Sequence, residues 1–527
     1  MNPPDPSRVR LLAALAEPAA YPHPAALIEH LQTHISDVFL AGEYAYKLKK
    51  PLDFGFLDFT TLEKRRRACL DEVRLNARLA PQIYLGVVPV CASGEGYRFA
   101  DAACPHGEPV EYAVRMRRLP QDGLLDRLAA QGNLTRAHLS DIAHQIAHFH
   151  AGAERGPDIE RYGALDSVAY PVRQNFEQTE KYIGVTLSHE RHARLRAYSE
   201  DFLRDQAGRF AARVAVHRIV DGHGDLHLRN MFLHDGRVVI FDCVEFNQAF
   251  RAGDVMNDIA FLTMDLDARR LPALGNHFLN EYLEWTQDYT GLALLDFYQI
   301  YRAYVRGKVT SFLMDATPDP ASRETARREA EDYFRLAERY LEARTPGILI
   351  TCGLSGSGKT TAARQAAAAL SGVIVRSDAV RKHLAGVPLD QDASAPFGQG
   401  IYNPELSART YQALLDHARA IVDAGRWAIL DATYNTLAAR AAVAQLARDL
   451  GVPFAIVHCL VERDERARRV RQRTAERSDI SDAGIAILDE QARRFEAPED
   501  SEGRLFTWRG GDDLAGWLKQ LHSGRSV

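Results

Sequence analysis

The sequence has 527 residues, of which 46% are hydrophobic, so it is long enough for two to four domains and has no sign of a disordered or fibrous protein. Its formal net charge of −5 argues against a chain-wide surface for nucleic acid or for an anionic membrane. No stretch predicts an export signal or a membrane span, and six scattered cysteines without a Cys-x-x-Cys pair predict thiols in a reducing, cytoplasmic setting.

The first strong pattern along the chain is a pair of short apolar runs around Gly42-Glu43. It predicts a β-hairpin that carries Lys47 in its return strand. A capping-box pattern at Thr60–Glu63 then predicts a helix with Glu72 in its middle. A helix carboxylate of this kind can hold a strand lysine in place, and Lys49, on the same face of the strand, is the alternative lysine.

A second hairpin is predicted where the apolar runs Met231–His234 and Arg237–Phe241 are joined by Asp235-Gly236. Counting outward from this turn brings Asn230 and Asp242 to the same open end of the hairpin. In a strictly regular ladder the two side chains would point to opposite faces. We therefore expect the pairing to loosen before the end if both are to reach one ion.

The residues around this open end follow a recognisable order. His-Gly-Asp at 223–225 is followed five residues later by Asn230, and Asp242 closes the second strand. This order resembles the catalytic loop and the metal-binding aspartate of kinases, and with glycine in its second position it is similar to the aminoglycoside phosphotransferases. The resemblance implies that Asp225 accepts the proton of a substrate hydroxyl, whereas Asn230 and Asp242 hold Mg²⁺ on the phosphates of ATP.

The same resemblance implies an α+β, protein-kinase-like domain over residues 1–340, with a small lobe at about 26–118 and a large lobe at about 119–340. It assigns Lys47 and Glu72 to the phosphates of ATP. Residues 250–340 look mostly helical, and by resemblance such helices build the acceptor pocket. Four acids in this region could line a pocket for a cationic acceptor or simply face water: Asp254, Asp258, Asp265 and Asp267.

A second domain, 346–527, is predicted to begin with the buried-strand pattern Gly347–Cys352. The strand leads directly into a complete Walker A sequence and then into a helix. Backbone amides and the helix N-terminus would surround the phosphates, Lys359 would reach the β and γ oxygens, and Thr360 would hold Mg²⁺. The residues predicted to bind nucleotide here are Gly353, Ser355, Gly356, Ser357, Gly358, Lys359, Thr360 and Thr361.

The rest of the chain alternates short apolar strands with helices, which predicts a doubly wound parallel sheet of the α/β P-loop class. Two strands end at Asp378 and Asp431. The pattern resembles P-loop kinases of the polynucleotide kinase, zeta toxin and gluconate kinase group. By that resemblance Asp378 acts on the acceptor hydroxyl and Asp431 aids Mg²⁺, although the two roles could be exchanged and Asp378 could be a simple helix N-cap.

Seven arginines lie between residues 463 and 477, and Arg469, Arg473 and Arg477 recur every four residues along one helical stripe. In P-loop kinases such a lid closes arginines over the transferred phosphoryl group, so Arg469 and Arg473 are predicted to bind the nucleotide. Acids interleaved with these arginines leave a plain solvated helix as the alternative.

Together these patterns predict a bifunctional, ATP- and Mg²⁺-dependent phosphotransferase. It would act on hydroxyl groups of small molecules such as sugars, nucleosides or aminoglycoside-like compounds. Two alternatives stay open. One domain could be a nucleotide-sensing regulator of a single catalytic kinase domain, or the P-loop half could be a polynucleotide 5′-kinase, which would bind nucleic acid in a salt-dependent manner.

Overall fold

The contacts between residues divide the chain into two compact units. The first comprises residues 1–168 and 211–262, and the second comprises residues 169–210 and 263–527. The predicted domain boundary near residue 340 follows punctuation of the sequence rather than contacts, and it stays a prediction. The computed structural model describes residues 6–53, 55, 57–94, 96–101, 103–104, 107–393, 399–476 and 492–522.

From the first helix to residue 268, short strands and helices alternate. The strands are β1 (Ile28–Gln32), β2 (Ser36–Ala41), β3 (Tyr44–Lys49), β4 (Tyr84–Ser93), β5 (Gly96–Phe99), β6 (Glu111–Arg117), β7 (Ile219–Asp221), β8 (Met231–His234), β9 (Arg237–Ile240) and β10 (Ala252–Asp254). The helices are α1 (Pro6–Leu15), α2 (Leu62–Asn76), α3 (Leu125–Ala130), α4 (Arg136–Gly152), α5 (Pro157–Glu160), α6 (Leu165–Thr179), α7 (His189–Asp205), α8 (Ala207–Ala215), α9 (Gln248–Arg251) and α10 (Val255–Ala268).

From residue 272 onward, three helices precede an alternating α/β region. The helices are α11 (Pro272–Thr286), α12 (Leu292–Ala316), α13 (Pro320–Arg339), α14 (Lys359–Leu370), α15 (Ser377–Leu384), α16 (Pro404–Asp423), α17 (Leu437–Asp449), α18 (Arg463–Glu476) and α19 (Leu514–His522). The strands are β11 (Gly347–Cys352), β12 (Val373–Arg376), β13 (Trp427–Asp431), β14 (Phe454–Cys459) and β15 (Arg504–Trp508).

The first unit is built on a six-stranded antiparallel sheet with the order β1-β2-β3-β6-β4-β5. The predicted hairpin at Gly42-Glu43 is confirmed, because Ala41 pairs with Tyr44 and Gly42 has a φ of 58°. Helix α2 begins after Thr61, whose side chain accepts a hydrogen bond from the amide of Lys64. The cap is therefore Thr61 itself rather than the predicted box starting at residue 60.

One apolar cluster joins the sheet, α2 and the second hairpin. It includes Cys69 of α2, Val114 of β6, and Phe232 and Val239 of β8 and β9. The predicted pairing within this hairpin is confirmed, because β8 and β9 run from His234↔Arg237 outward to Met231↔Ile240. Burial of these apolar side chains fixes the hairpin against the strand and helix that carry the candidate lysine and glutamate.

The prediction that all six cysteines are thiols is wrong. Cys91 on β4 forms a disulfide with Cys104, because the chain folds back after β5 and brings the two Cα atoms within 5.5 Å. Their sequence separation of 13 residues did not indicate this pairing. The remaining cysteines are buried as unpaired thiols: Cys69, Cys243, Cys352 and Cys459.

The second unit contains a five-stranded parallel sheet with the order β12-β13-β11-β14-β15. The predicted α/β class with a doubly wound parallel sheet is confirmed. Strand β15 at one edge was not predicted, because its short run Arg504–Trp508 mixes polar and apolar residues. Side chains of α14 and α19 pack on the strands in one apolar cluster that includes Ile429 and Trp508.

Helix α11 covers the other edge of this sheet, strand β12. The Asn280 side chain accepts a hydrogen bond from the Ile374 amide at 2.6 Å and donates one to the Gly372 carbonyl at 3.1 Å. The hydroxyl of Tyr289 donates to the Ile374 carbonyl at 3.3 Å. The edge strand of a sheet presents backbone N–H and C=O groups that lack a neighbouring strand. Here side-chain amides and a hydroxyl form hydrogen bonds with these groups of β12 and the residue before it.

Candidate active sites

The first candidate site forms where β7 leads into the loop before β8. The Asn230 side-chain amide donates a hydrogen bond to Oδ2 of Asp225 at 2.8 Å and to the Asp225 carbonyl at 3.0 Å. The Nε2 atom of His227 lies 3.2 Å from the same carboxylate oxygen. Two of the three residues predicted to share a site are thus in direct contact, and the Asp225 carboxylate is held in one orientation.

Asp242 reaches the same end of the hairpin through a break in the ladder. One further backbone hydrogen bond joins the two sides of the hairpin beyond the final ladder pair of β8 and β9. The Phe241 amide donates it to the Asn230 carbonyl at 3.0 Å. Asp242 then adopts a left-handed backbone with a φ of 61°, and its amide donates to the hydroxyl of Tyr84 at 3.1 Å. The loosening expected from the sequence therefore occurs at Asp242 itself.

The predicted lysine and glutamate meet at this aspartate. The ammonium of Lys47 lies 2.8 Å from Oε1 of Glu72 and 2.8 Å from Oδ1 of Asp242. Burial opposes the charge of Lys47, but the carboxylates of Asp242 and Glu72 outweigh burial and raise the pKa of Lys47 well above its ordinary value. Lys47 is therefore a fixed cation that joins β3 and α2 to the open end of the β8–β9 hairpin.

Lys49, the alternative lysine, lies deeper. Its ammonium is fully buried, 2.5 Å from Oε2 of Glu72, and it also forms a short ion pair with Glu245. Burial raises the pKa of the Glu72 carboxyl, but Lys47 and Lys49 outweigh burial and lower that pKa to about 2. Of the two lysines, only Lys47 contacts the predicted metal ligand.

A buried aspartate holds the loop between β7 and β8, which carries Asp225 and Asn230. Asp258 of α10 accepts hydrogen bonds from the amides of His223 and Gly224 at 2.8 and 2.9 Å, and its Oδ2 lies 3.2 Å from Nε2 of His150. Burial raises the pKa of Asp258, but the contact with His150 and the loop amides outweighs it and lowers the pKa to about 2. The His223 ring nitrogen in turn lies 3.1 Å from the Phe241 carbonyl, which connects the loop to the hairpin.

None of the four acids at residues 254–267 simply faces water: each has a partner in the fold, and Asp267 also lines a cavity. Asp254 is buried and pairs with Arg213 at 2.7 Å, and Asp265 is buried beside Arg269 at 3.2 Å. Asp258 holds the loop before β8, and Asp267 accepts a hydrogen bond from Tyr340 at 2.7 Å. Asp265 and Arg269 are four residues apart on one helix, whereas the partners of Asp254, Asp258 and Asp267 are far away in the sequence, so helical periodicity could not indicate them.

The second candidate site is the Walker A loop between β11 and α14. Gly353, Gly356 and Gly358 have φ values of 142°, 78° and 90°, a region that favours glycine. A methyl group on Gly356 would lie 2.8 Å from the carbonyl oxygen of Arg466, and one on Gly353 would lie 2.6 Å from that of Cys459. The loop therefore requires glycine for its backbone angles and for its close packing.

Polar groups of the loop are arranged for an anion. The Ser357 hydroxyl is buried, and it has no hydrogen-bond partner within the described part of the chain. The Lys359 ammonium donates to the Leu354 carbonyl at 3.0 Å across the loop. Helix α14 begins at Lys359, and the partial positive charge of its N-terminus lies beside the loop.

Asp431 closes β13 beside this loop. Its Oδ2 accepts a hydrogen bond from the Thr360 hydroxyl at 2.7 Å, and its Oδ1 accepts one from Thr351 at 3.1 Å. Arg376 at the end of β12 lies 3.7 Å from Oδ2 of Asp431 and 3.1 Å from Glu284 of α11. A chain of charged groups thus runs from α11 through β12 to the predicted Mg²⁺ ligands.

Asp378 occupies the second position of α15, at the carboxyl end of β12. The N-cap position of this helix is Arg376, and it makes no side-chain capping bond. Since Arg376 lies next to Asp431 in the strand register, Asp378 is two residues after the residue that contacts Asp431. The alternative that Asp378 is a simple N-cap does not hold in this helix.

The predicted arginine lid is the helix α18. A methyl group built on Gly358 would lie 3.6 Å from a terminal guanidinium nitrogen of Arg469, so this arginine lies next to the Walker A loop. Arg469 also pairs with Glu465 at 2.7 Å. The side chain of Arg473 and the whole of Arg477 lie outside the described residues.

Each half of the chain matches a known protein-family model. Residues 56–295 match the model of the phosphotransferase enzyme family, and residues 348–498 match the model of an AAA domain. Uncharacterised proteins of Mycobacterium tuberculosis and Mycobacterium bovis are 32% identical to this chain over 461 residues, which cover 88% of the chain and 89% of each relative. The chain belongs to the same family as these mycobacterial proteins.

Two solved structures show what each half is similar to. A choline/ethanolamine kinase family protein from Mesorhizobium loti covers 64% of this chain with 14% identity and a TM-score of 0.37, over 94% of its own length. A gluconokinase from Sinorhizobium meliloti covers 34% of the chain with 20% identity and a TM-score of 0.24, over 92% of its own length.

The family matches confirm the two-part organisation expected from the motifs. A protein-kinase-like phosphotransferase domain precedes a P-loop domain of the kinase type, and the chain is a phosphotransferase. No helix among the described ranges is long and apolar enough to cross a bilayer.

Several residues of the sites were missed by sequence reasoning. The sequence patterns assigned no role to Arg376, Tyr84 or Glu245, which contact Asp431, Asp242 and Lys49 in the structure. The strongest available signal was the placement of Arg376 immediately before Ser-Asp at the carboxyl end of a parallel strand, where ligands gather.

Proposed function

We propose that this chain is a bifunctional ATP-dependent phosphotransferase that transfers phosphate to hydroxyl groups of small molecules such as sugars, nucleosides or aminoglycoside-like compounds. The observation that carries the proposal is a lysine at each of two sites, within reach of residues suited to Mg²⁺. Lys47 contacts Asp242 in the first unit, and Lys359 directly precedes Thr360, which contacts Asp431, in the second.

At the first site, Asp225 is the general base. Asn230 and His227 orient its carboxylate toward an acceptor hydroxyl, whose proton it removes as phosphate is transferred. Asn230 and Asp242 are the metal ligands, and Lys47, held by Glu72, binds the phosphates of ATP. These oxygen and amide ligands suit Mg²⁺, which prefers few protein carboxylates together with phosphate oxygens.

At the second site, the Walker A amides and Lys359 bind the phosphates. Thr360 and Asp431 are the metal ligands, since their 2.7 Å hydrogen bond places both oxygens at one point of the loop. The buried hydroxyl of Ser357 fits a phosphate oxygen. When bound, Mg²⁺ would neutralise the charge that develops on the phosphoryl oxygens.

Asp378 is the proposed base for the second acceptor, and Arg469 and Arg473 are the proposed lid residues. Asp378 lies at the carboxyl end of a parallel strand, where acceptors bind in doubly wound sheets. Arg469 already lies beside Gly358, so a small movement of α18 would bring its guanidinium onto a bound phosphate.

A screen for transfer of radiolabelled phosphate from ATP tests the proposal. Sugars, nucleosides and aminoglycosides are offered to the whole chain and to the variants Asp225→Ala and Lys359→Ala. We expect each variant to lose one class of phosphorylated product and to retain the other. If no hydroxylated acceptor gains phosphate in either variant or in the unchanged chain, the proposal fails.

A second candidate function is regulation of one domain by the other. It is favoured by the contact of Glu284, inside the phosphotransferase family match, with Arg376 at the P-loop site. A regulatory domain would change the rate at the other site without forming a product of its own. The same screen separates the two functions, because a regulator yields only one class of product.

A further inference from the structure

A cavity of about 350 Å³ lies inside the second unit, at the base of the parallel sheet. Its walls come from α10, α11 and α12, from the segment after α13, and from the ends of helix α14 and of strand β13 nearest that base. Trp427 begins β13 and Asp431 ends it, which separates them by roughly 13 Å. Leu370 ends α14, roughly 16 Å along the helix from Lys359. The cavity is therefore distinct from the Walker A site.

Three side chains that line this cavity carry buried polar atoms without a hydrogen-bond partner in the described ranges. They are the carbonyl oxygen of Gln299, the Nε–H of Arg426 and the indole N–H of Trp427. The residues are only 5%, 8% and 2% exposed. Buried polar groups in folded proteins are almost always bonded, so three exceptions around one cavity indicate a partner from outside the chain.

The charges around the cavity favour an anion. Arg426 and Arg344 both bind the same carboxylate, Asp296, at 2.6 and 2.9 Å, so two cations share one anion. The further acid, Asp267, accepts a hydrogen bond from Tyr340, and burial raises the pKa of its carboxyl. The indole N–H of Trp427 and the Nε–H of Arg426 are donors without an acceptor in the described ranges, so the cavity still offers hydrogen bonds to an anion.

We propose that this cavity binds a small hydroxylated organic anion. Its carboxylate or phosphate would accept hydrogen bonds from Arg426 and Trp427, and its hydroxyl would donate one to the Gln299 carbonyl oxygen. The volume is within the range of sites for small molecules, and the apolar side chains of Leu279 and Leu295 leave room for a short carbon chain. The site is separate from both proposed transfer reactions and does not depend on them.

Calorimetric titration of the whole chain tests the site with three probes. L-malate carries the hydroxyl, succinate lacks only that hydroxyl, and 3-phosphoglycerate replaces a carboxylate with a phosphate. The titrations use the Lys359→Ala variant, which weakens anion binding at the Walker A loop. We expect one equivalent of malate or of 3-phosphoglycerate to bind per chain, and succinate to bind roughly ten-fold more weakly than malate.

Two variants connect any binding to this cavity. Trp427→Phe keeps an aromatic ring but removes the N–H, and we expect it to weaken the binding of every anion roughly ten-fold. Gln299→Met removes the carbonyl oxygen and should lower the affinity of the site for malate to its affinity for succinate. The matched control Thr263→Val removes the 2.9 Å hydrogen bond from the Gln299 amide but leaves that oxygen in place, so it should preserve the preference for malate.

The melting temperature of each variant without ligand shows whether it folds, and Gln299→Met carries the test if Trp427→Phe is unstable. If 3-phosphoglycerate binds but malate does not, the site is assigned to phosphate monoesters. If malate binds but 3-phosphoglycerate does not, the site is assigned to hydroxy acids. Absence of binding by all three probes at millimolar concentration would overturn the proposal. So would affinities that neither Trp427→Phe nor Gln299→Met changes.

Discussion

At the residue scale, Lys47 and Lys49 show how one kind of side chain serves two purposes on a single strand. Both contact Glu72, but the second partner of Lys47 is the proposed metal ligand Asp242, whereas that of Lys49 is the buried Glu245. Sequence alone could place both lysines on one face of β3, because alternate residues share a face. It could not choose between them, since the choice depends on which carboxylates arrive from other elements.

The two lysines should therefore respond differently to replacement by methionine. Lys47→Met should lower phosphate transfer at the first site by at least about 100-fold, because a fixed charge on the phosphates is lost. Lys49→Met leaves two buried carboxylates facing each other and should destabilise the first unit by about 3–5 kcal/mol. Transfer assays and urea unfolding measure the two effects, and each variant is the control for the other. A reversed pattern would contradict the assignment.

Asp258 makes a prediction about pH. Its pKa is about 2 in the folded protein, against an ordinary value of 3.8, so its carboxylate stabilises the fold above about pH 4. That stability, about 2 kcal/mol, is lost as the pH falls from about 4 toward 2. Asp258→Asn should remove it at neutral pH and flatten the acid side of the stability profile.

Urea unfolding between pH 7 and pH 2 measures this effect. The control is Asp158→Asn, which changes an exposed acid in the same unit. An Asp258→Asn profile that keeps the slope of the unchanged chain would show that another carboxylate governs acid stability.

At the element scale, α11 links the family's phosphotransferase segment to the P-loop sheet. Its asparagines satisfy the edge of β12, and Glu284 binds Arg376, which lies beside Asp431. The sequence predicted that residues 250–340 are mostly helical but gave no sign that the polar face of α11 would complete a sheet edge. Such a contact is specific to tertiary structure, because the partners are about 90 residues apart.

We predict that Glu284→Gln lowers turnover at the P-loop site about ten-fold and raises the Mg²⁺ concentration it requires. The loss of charge frees Arg376 to bind Asp431 more closely, which competes with the metal. ATP binding by the loop amides should be largely retained. Transfer kinetics at varied Mg²⁺, in an Asp225→Ala background, give both quantities.

The matched control for this prediction is Glu281→Gln, one turn away on the same helix, whose carboxylate lies 3.9 Å from His277. It should leave the Mg²⁺ requirement unchanged. An equal effect of both substitutions would point to a general loosening of α11 rather than to the contact with Arg376.

At the scale of the whole molecule, sequence motifs predicted both kinase-type halves and some contacts within them, such as that of Lys47 with Glu72. This was possible because tight turns and phosphate loops depend on local residue order: Asp235-Gly236 sets the register of β8 and β9, and the glycines of residues 353–358 set the Walker A loop. The disulfide, the fifth strand of the parallel sheet and the roles of Arg376 and Asp258 depend on contacts across long sequence separations. The position of Arg376 before Ser-Asp is a local signal of a ligand site, but no local pattern identifies the partners in these contacts.

The central claim is that the chain holds two independent nucleotide sites, and the number of nucleotides bound per chain tests it most directly. Titration with a non-hydrolysable ATP analogue and Mg²⁺ should give two equivalents for the unchanged chain. It should give one equivalent for Asp242→Ala and one for Lys359→Ala, because each substitution disables a site in a different unit. A single equivalent in the unchanged chain, or loss of both equivalents in either variant, would contradict the account.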